Sequence, residues 1–321
     1  MTWQVRWLKN AAFGLLPFSG ALRRMKRRLV PYPTDVPEWT LEEGLRLVEM
    51  LREVGYPPQG ATVLEIGSGW QPILPLLFSL AGAERVVTVD SQRLLDSDTF
   101  SGTVASLASH AQLISARLGI EAAVVRSLLA APPAELSASL RRFRMEYRAP
   151  SDVVTESFRD GEFDIIASRA VLEHVPPDVL RPLFARTLRL LRPGGWTCHA
   201  IDNSDHWSHR HAQLSRVNFL RYSDRTFAFL NRFNPLDYQN RLRHPDYADL
   251  LRGAGFEIVI ARSEPETKVL TDLDTLPVAD RFRAYPPVDL ARLDSYFVAR
   301  RPAIMSLAAA RAERSGSLKD T

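Results

Sequence analysis

Two stretches of the chain gather the side chains best suited to chemistry. The first is "VLEIGSGWQPILP", residues 63–75, followed by "ERVVTVD", which ends at Asp90. An apolar run closes on Glu65. Gly67, Ser68 and Gly69 then let the backbone turn sharply and approach a ligand with no Cβ in the way at the glycines. Asp90 stands 21 residues after Gly69, where a carboxylate can accept both hydroxyls of a ribose. The second stretch begins "CHAIDNSDHWSHRH" at Cys198 and runs to His244. With His174 just upstream it holds six of the seven histidines, at 174, 199, 206, 209, 211 and 244, beside Asp202, Asp205, Trp207 and Tyr222.

The first stretch narrows the choice of ligand. A dinucleotide fingerprint, G-x-G-x-x-G, would put its third glycine at Pro72. That glycine serves close helix–strand packing, whereas proline suits the first turn of a helix, so NAD and FAD are disfavoured. A phosphate-cradling P-loop is excluded, because no G-K-[ST] follows the glycines.

These residues need a scaffold that brings strand ends together. "TLEEGLRLVEMLREVGY" reads as a helix with Thr40 as its N-cap, Leu41, Leu45, Val48 and Leu51 on one face, and Gly55 closing it. "ATVLEI" reads as a buried strand, "ILPLLFSLAGA" as a helix apolar nearly all round, and "ERVVTVD" as a second buried strand. Strand, helix, strand within about thirty residues is the βαβ unit of a parallel sheet. Residues 94–145 read as mainly helical, with "TVASLASHAQLISARL" the clearest helix and "AAPPAEL" a break. The alternation resumes with strands at "RMEYRAPSD", "FDIIAS" and "WTCHAID", helices at "VLRPLFARTLRLL" and "YADLLRG", and late strands at "FEIVIAR" and "SYFVARRP". The expected fold is α/β, a doubly wound, mostly parallel, Rossmann-like seven-stranded sheet. An N-terminal arm and helical cap would occupy 1–58, the main domain 59–302 with insertions near 93–145 and 203–246, and a frayed tail 303–321.

In such a sheet ligands bind beyond the C-terminal strand ends. The first strand places Glu65, Gly67, Ser68 and Gly69 there, the second Asp90, the third Ser151 and Asp152, the fourth Ser168 and Arg169, and the fifth His199 and Asp202. In order and spacing, "VLEIGSG", "VVTVD", "FDIIASRAVLEHV" and "LRPGGW" resemble class I S-adenosylmethionine-dependent methyltransferases. The resemblance covers residues 60–200, and more loosely the "LLRGAGFEIV" helix–strand and the final strand. It implies S-adenosylmethionine as cofactor, with Glu65, Gly67 and Gly69 at its methionine part, Asp90 on its ribose and Asp152 at the adenine amino group. Ser68, Ser168 and Arg169 join the expected cofactor site. The family's frequent third loop glycine would fall at Gln71, a departure from its fuller pattern.

The resemblance also implies that the histidine-rich insertion binds the methyl acceptor, with His199, Asp205, Trp207 and Tyr222 as its wall. Transfer to a hydroxyl needs in-line positioning and a base, and Asp202 and His206 are placed for that role. An imidazole suits proton uptake near neutral pH. A second option is a Mg²⁺ held by Asp202, Asp205 and His206; a third is that these groups only cap the strand. His174 and Glu173, in "LEHV", read as structural. The expected activity is O-methylation of a polar small-molecule or glycan-type acceptor. The alternative is a catalytically silent sensor or scaffold that binds the cofactor.

Composition bounds the rest. At 45% hydrophobic and 24% charged the chain can bury a sizeable core. One cysteine, Cys198, excludes an intrachain disulfide and a cysteine zinc cluster, and a reducing cytoplasm is the simplest home. The net charge of +4 is uneven: residues 1–34 carry Arg6, Lys9, Arg23, Arg24, Lys26, Arg27 and Arg28 with no acid before Asp35. That arm, with Trp3, Trp7 and Phe13, reads as a cap on the main domain or as a peripheral membrane contact through residues 1–30. No nucleic-acid partner is expected, since the basic cluster lies in this arm and not around the pocket.

Overall fold

Val63 and Leu64, neighbours on the first strand, belong to two different hydrophobic cores, and that division organises the molecule. Successive strand side chains point to opposite faces of a sheet, so a strand apolar at every position must be covered on both sides. The computed structural model describes residues 32–231 and 238–303. Strands β1 (Thr62–Ile66), β2 (Arg85–Val89), β3 (Met145–Arg148), β4 (Phe163–Arg169), β5 (Leu191–Asp202), β6 (Glu257–Arg262) and β7 (Asp294–Arg300) form one sheet in the order β3-β2-β1-β4-β5-β7-β6. The pairs from β3 through β5 are parallel, and β7 runs antiparallel to both β5 and β6. The expected doubly wound, mostly parallel seven-stranded sheet is what forms.

Helices in chain order are α1 (Glu38–Glu53), α2 (Ile73–Leu80), α3 (Ser97–Ser109), α4 (Ala111–Leu118), α5 (Ala122–Leu128), α6 (Leu136–Arg142), α7 (Pro177–Leu190), α8 (Asp224–Asn231), α9 (His244–Gly253), α10 (Thr267–Leu273) and α11 (Pro287–Leu290). α1 through α5 pack on the Val63 face; α7 and α9 cover the Leu64 face. All eight residues of α2 are buried, as its unbroken apolar sequence requires. α1 begins earlier than expected. Its N-cap is Pro37, which holds an extended conformation (φ −61°, ψ 139°), and Thr40 is buried inside the first turn. Gly55, at φ +76°, closes it as anticipated. The long helix expected over 103–118 is divided at His110, which ends α3 and starts α4.

A third core was not anticipated. Val217, Phe219, Leu220 and Phe227 from the segment after β5 pack with Val269, Phe282 and Leu290 from the connection between β6 and β7. Two antiparallel strands need only a short hairpin, and these thirty-odd residues instead build half of a small helical module. The module is fastened by buried arginines. Arg243, fully buried, donates to the carbonyls of Asn203, Leu290 and Arg292 at 2.7–2.8 Å. Arg241 reaches the carbonyls of Phe219 and Tyr222, pairs with Asp224 at 2.6 Å and lies 4.0 Å over the Phe227 ring.

The basic arm through residue 30, the tail from 304 and residues 232–237 of the insertion lie outside the described residues. Among those described, no helix is long and apolar enough to cross a membrane.

Candidate active site

Because β1, β2, β3, β4 and β5 run parallel, their C-terminal ends share one edge of the sheet. At the first of these ends the chain turns through Gly67 (φ +83°) and Gly69 (φ +59°), left-handed conformations that an L side chain rarely adopts. Around Gly67 there is no room: a Cβ would run into Val171. Around Gly69 the space is open, so the loop presents bare backbone outward there. Asp90 fixes this turn. One carboxylate oxygen accepts the Gly69 N–H at 2.9 Å and the other accepts the Gln92 N–H at 2.8 Å. A carboxylate has about four acceptor sites, so two remain for a ligand's hydroxyls. These features fit the methionine and ribose portions of S-adenosylmethionine.

Glu65 and Ser68 support this loop from within. Glu65 is 3% exposed, and its register partner Thr88 donates a hydroxyl to its carboxylate. Thr88 in turn hydrogen-bonds the buried Ser68 hydroxyl. Burial, opposed by the Thr88 bond, pushes the Glu65 carboxyl up to about 8. Both side chains bond Thr88 in the loop's interior. Gln71, in the place of the third glycine, donates to the carbonyls of Pro33 (3.1 Å) and Asp35 (3.0 Å), and Trp70 stacks on Tyr32 at 4.8 Å. The chain entering the domain is thereby laid across the loop.

Asp152 is exposed and accepts the Val154 N–H at 2.9 Å, capping its own turn. The preceding Ser151 N–H bonds the Asp90 carbonyl at 2.8 Å, which brings Asp152 close to Asp90. Ser168 and Arg169 are divided between the two faces of β4. Ser168, fully buried, bonds His199 Nδ1 at 2.8 Å, and Thr197 Oγ1 lies 2.7 Å from the other ring nitrogen. Burial pushes His199 down to about 3. Ser168 and His199, expected at the cofactor and at the acceptor, thus bond one another inside the sheet. Arg169 turns to α1 and pairs with Glu43 at 3.1 Å.

The ends of β4 and β5 hold a polar cluster. Asp202 Oδ2 lies 3.1 Å from His206 Nε2 and 3.7 Å from His209 Nε2, and Asp202 Oδ1 accepts the Ser204 N–H. Burial would raise the Asp202 carboxyl, but the His206 and Ser204 bonds outweigh it and bring it to about 2. The His206 ring meets His174 edge-on at 5.0 Å and His209 at 4.9 Å. His174 Nδ1 must donate to the Tyr238 carbonyl, 2.7 Å away, because a carbonyl only accepts. Glu173 is 2% exposed, and neither of its carboxylate oxygens has a hydrogen-bond partner. Burial raises its carboxyl well above the ordinary range.

A strip late in the insertion holds this cluster in place. Gln239 accepts the His206 N–H at 3.0 Å and donates to the Ser204 carbonyl at 2.7 Å. Asn240 donates its amide to the carbonyls of Leu172 and Val175, while its backbone N–H bonds the Glu173 carbonyl. Asp202 and His206, both expected near the acceptor, are brought together here, and they are joined by Glu173 and His174, expected to be structural, and by His209, to which no role was given. The spacing of "LEHV" on one strand end and "DHWSH" on the next was the signal available. Asp205 leaves the group: it is 1% exposed, accepts the Trp207 N–H at 2.9 Å and is raised by burial to about 6. The Mg²⁺ set built on it is not assembled. Trp207 and Tyr222 pack at 6.2 Å against one another, half-buried at the edge of the third core.

Residues 42–260 match the model of a family described as a methyltransferase domain. No curated protein matches the chain. Among solved structures it is similar to a provisional sarcosine dimethylglycine methyltransferase of Galdieria sulphuraria (13% identity, 83% of this chain and 88% of that one, TM-score 0.47). It is also similar to 1,6-didemethyltoxoflavin-N1-methyltransferase of Burkholderia thailandensis (19%, 82% and 80%, TM-score 0.41) and to an S-adenosylmethionine-dependent methyltransferase of Mesorhizobium loti (15%, 79% and 96%, TM-score 0.43). The family match spans more than half of the chain and takes in both the glycine turn and the end of β5, and on that ground the chain belongs to the class I S-adenosylmethionine-dependent methyltransferases.

Proposed function

We propose that the chain methylates an oxygen of a polar small-molecule or glycan-type acceptor. One observation carries this reading: the Asp202–His206 pair, 3.1 Å apart, stands at the strand edge that also carries the glycine turn. S-adenosylmethionine supplies an electrophilic methyl group on its sulfonium. Gly67, Gly69 and Asp90 would hold it, with Asp152 toward the adenine. With Nε2–H directed at Asp202, the lone pair of a neutral His206 lies on Nδ1, and that atom takes the proton leaving the acceptor hydroxyl. Trp207 and Tyr222, at the rim of the helical module, supply aromatic surface of the kind that packs on sugar-like rings.

Incubation of the purified protein with methyl-labelled S-adenosylmethionine and fractionated polar metabolites and glycans tests the reading. Label is expected in a methyl ether. Label only in amines would overturn the oxygen acceptor, and cofactor binding with no labelled product in any fraction would favour a silent sensor.

A further inference from the structure

We propose that Glu173, His174 and His206 bind one divalent first-row transition-metal ion, with Asp202 fixing the His206 ring from behind. The argument begins with Glu173. It is 2% exposed, and both of its carboxylate oxygens are buried without a hydrogen bond. Its Oε1 lies 4.0 Å from His174 Nε2, and one donor atom each from Glu173, His174 and His206 fall within 4.8 Å of one another. Donors 2.0–2.2 Å from a shared ion stand roughly 3.0–3.4 Å apart when adjacent, so a small inward shift completes the site.

The surroundings are arranged as a metal's outer ligands are. A ligating histidine donates its other N–H to a carboxylate or a carbonyl, which fixes its tautomer and orientation. His174 does this to the Tyr238 carbonyl at 2.7 Å, and His206 to Asp202 at 3.1 Å. Each is left with its lone pair on the remaining nitrogen. Gln239 and Asn240 grip the backbones of His206 and Glu173, so two ligands from distant parts of the chain share one support. Two imidazoles and one carboxylate suit zinc, cobalt, manganese or iron; magnesium and calcium prefer oxygen donors throughout. Three protein ligands leave positions for an acceptor that chelates through adjacent oxygens.

The inference rests on the acceptor-site reading only for what the ion would do. In the loaded site His206 is a ligand, and lowering the pKa of an acceptor hydroxyl passes from its imidazole to the ion.

Full-length protein stripped with a chelator and titrated with Co²⁺ tests the site. One Co²⁺ per chain is expected, with visible d–d absorption that Zn²⁺ displaces. Glu173→Gln and His174→Ala should each weaken binding by more than about 100-fold, Asp202→Asn by about 10–100-fold, and His209→Ala by less than about 3-fold. S-adenosylhomocysteine binding, read by thermal shift, shows that each variant is folded. In the wild-type protein, Co²⁺ should shift the ring NMR signals of His174 and His206 more than those of His209 and His244, a test that needs no variant. Failure to bind one equivalent overturns the proposal. So does binding that survives Glu173→Gln and is lost in His209→Ala, which would place the ion among Asp202, His206 and His209. Methyl transfer that proceeds undiminished in metal-free protein overturns the ion's part in acceptor deprotonation and leaves the proposed function standing.

Discussion

Glu65 and Thr88 are register partners on adjacent parallel strands, and the Thr88 hydroxyl is donated to a Glu65 carboxylate buried from water. Burial lifts that carboxyl from the ordinary 4.5 to about 8. The folded protein therefore keeps a proton that the unfolded chain gives up between those values. Where the folded state binds more protons, stability falls as pH rises. Thermal unfolding should show a loss on the order of a few kcal/mol from pH 5 to 8. Glu65→Gln should flatten that slope and raise Tm at pH 8 more than at pH 5. His199 works in the opposite direction: held down to about 3 against 6.5 unfolded, its contribution is lost as pH falls below 6.5.

Gly67 and Gly69 should respond differently to alanine. Gly67→Ala adds a Cβ into Val171 on top of a left-handed φ, so it should cost about 2–4 kcal/mol in denaturant unfolding. Gly69→Ala meets open space and pays only the backbone term, about 1–2 kcal/mol. Its larger effect should be on cofactor affinity, read by calorimetry with S-adenosylhomocysteine.

Asp202→Asn and His206→Asn should leave S-adenosylhomocysteine affinity within about 2-fold and lower kcat by about 10²–10⁴-fold, the usual worth of a positioned acid–base group. Equal losses in cofactor affinity and turnover would show that the pair belongs to the loop's architecture instead.

Asp90→Ala removes the acceptor of the Gly69 and Gln92 N–H groups as well as the proposed ribose contact. The thermal shift with S-adenosylhomocysteine should vanish, whereas Asp90→Asn should retain part of it.

Arg243→Met keeps most of the side chain's volume and strands the carbonyls of Asn203, Leu290 and Arg292. Breaking a buried charged network of this kind costs about 3–5 kcal/mol. Because those carbonyls tie β5 to the helical module, urea unfolding of the variant should lose cooperativity.

The sheet was legible because its strands are short apolar runs between glycine turns, and Gly67, Gly69 and Asp90 because the glycine turn and the acid 21 residues on are local features. The orientations of Ser68, Ser168 and His199 were not legible, for one reason. Position at a strand end does not say which way a side chain points, and Thr88 or a neighbouring hydroxyl can claim it inside the protein. The acceptor-side cluster was half visible. Asp202 and His206 lie four residues apart, whereas Glu173 and His174 come from the end of another strand and are brought beside them by the fold, with Gln239 and Asn240, sixty-odd residues further along, bridging the two. The third core escaped notice because neither of its halves is apolar enough to fold alone.

The family match begins at Glu42, inside α1, yet Gln71 and Trp70 are engaged with Tyr32, Pro33 and Asp35. Val36 donates its N–H to Ser106 on α3 at 2.8 Å, so these few residues bridge the cofactor turn to the first insertion. A protein trimmed to the homologous boundary would keep every residue named for cofactor binding and lose the clasp that holds their loop. The recognisable domain is thus smaller than the working one, and the residue standing where a glycine was expected marks the difference.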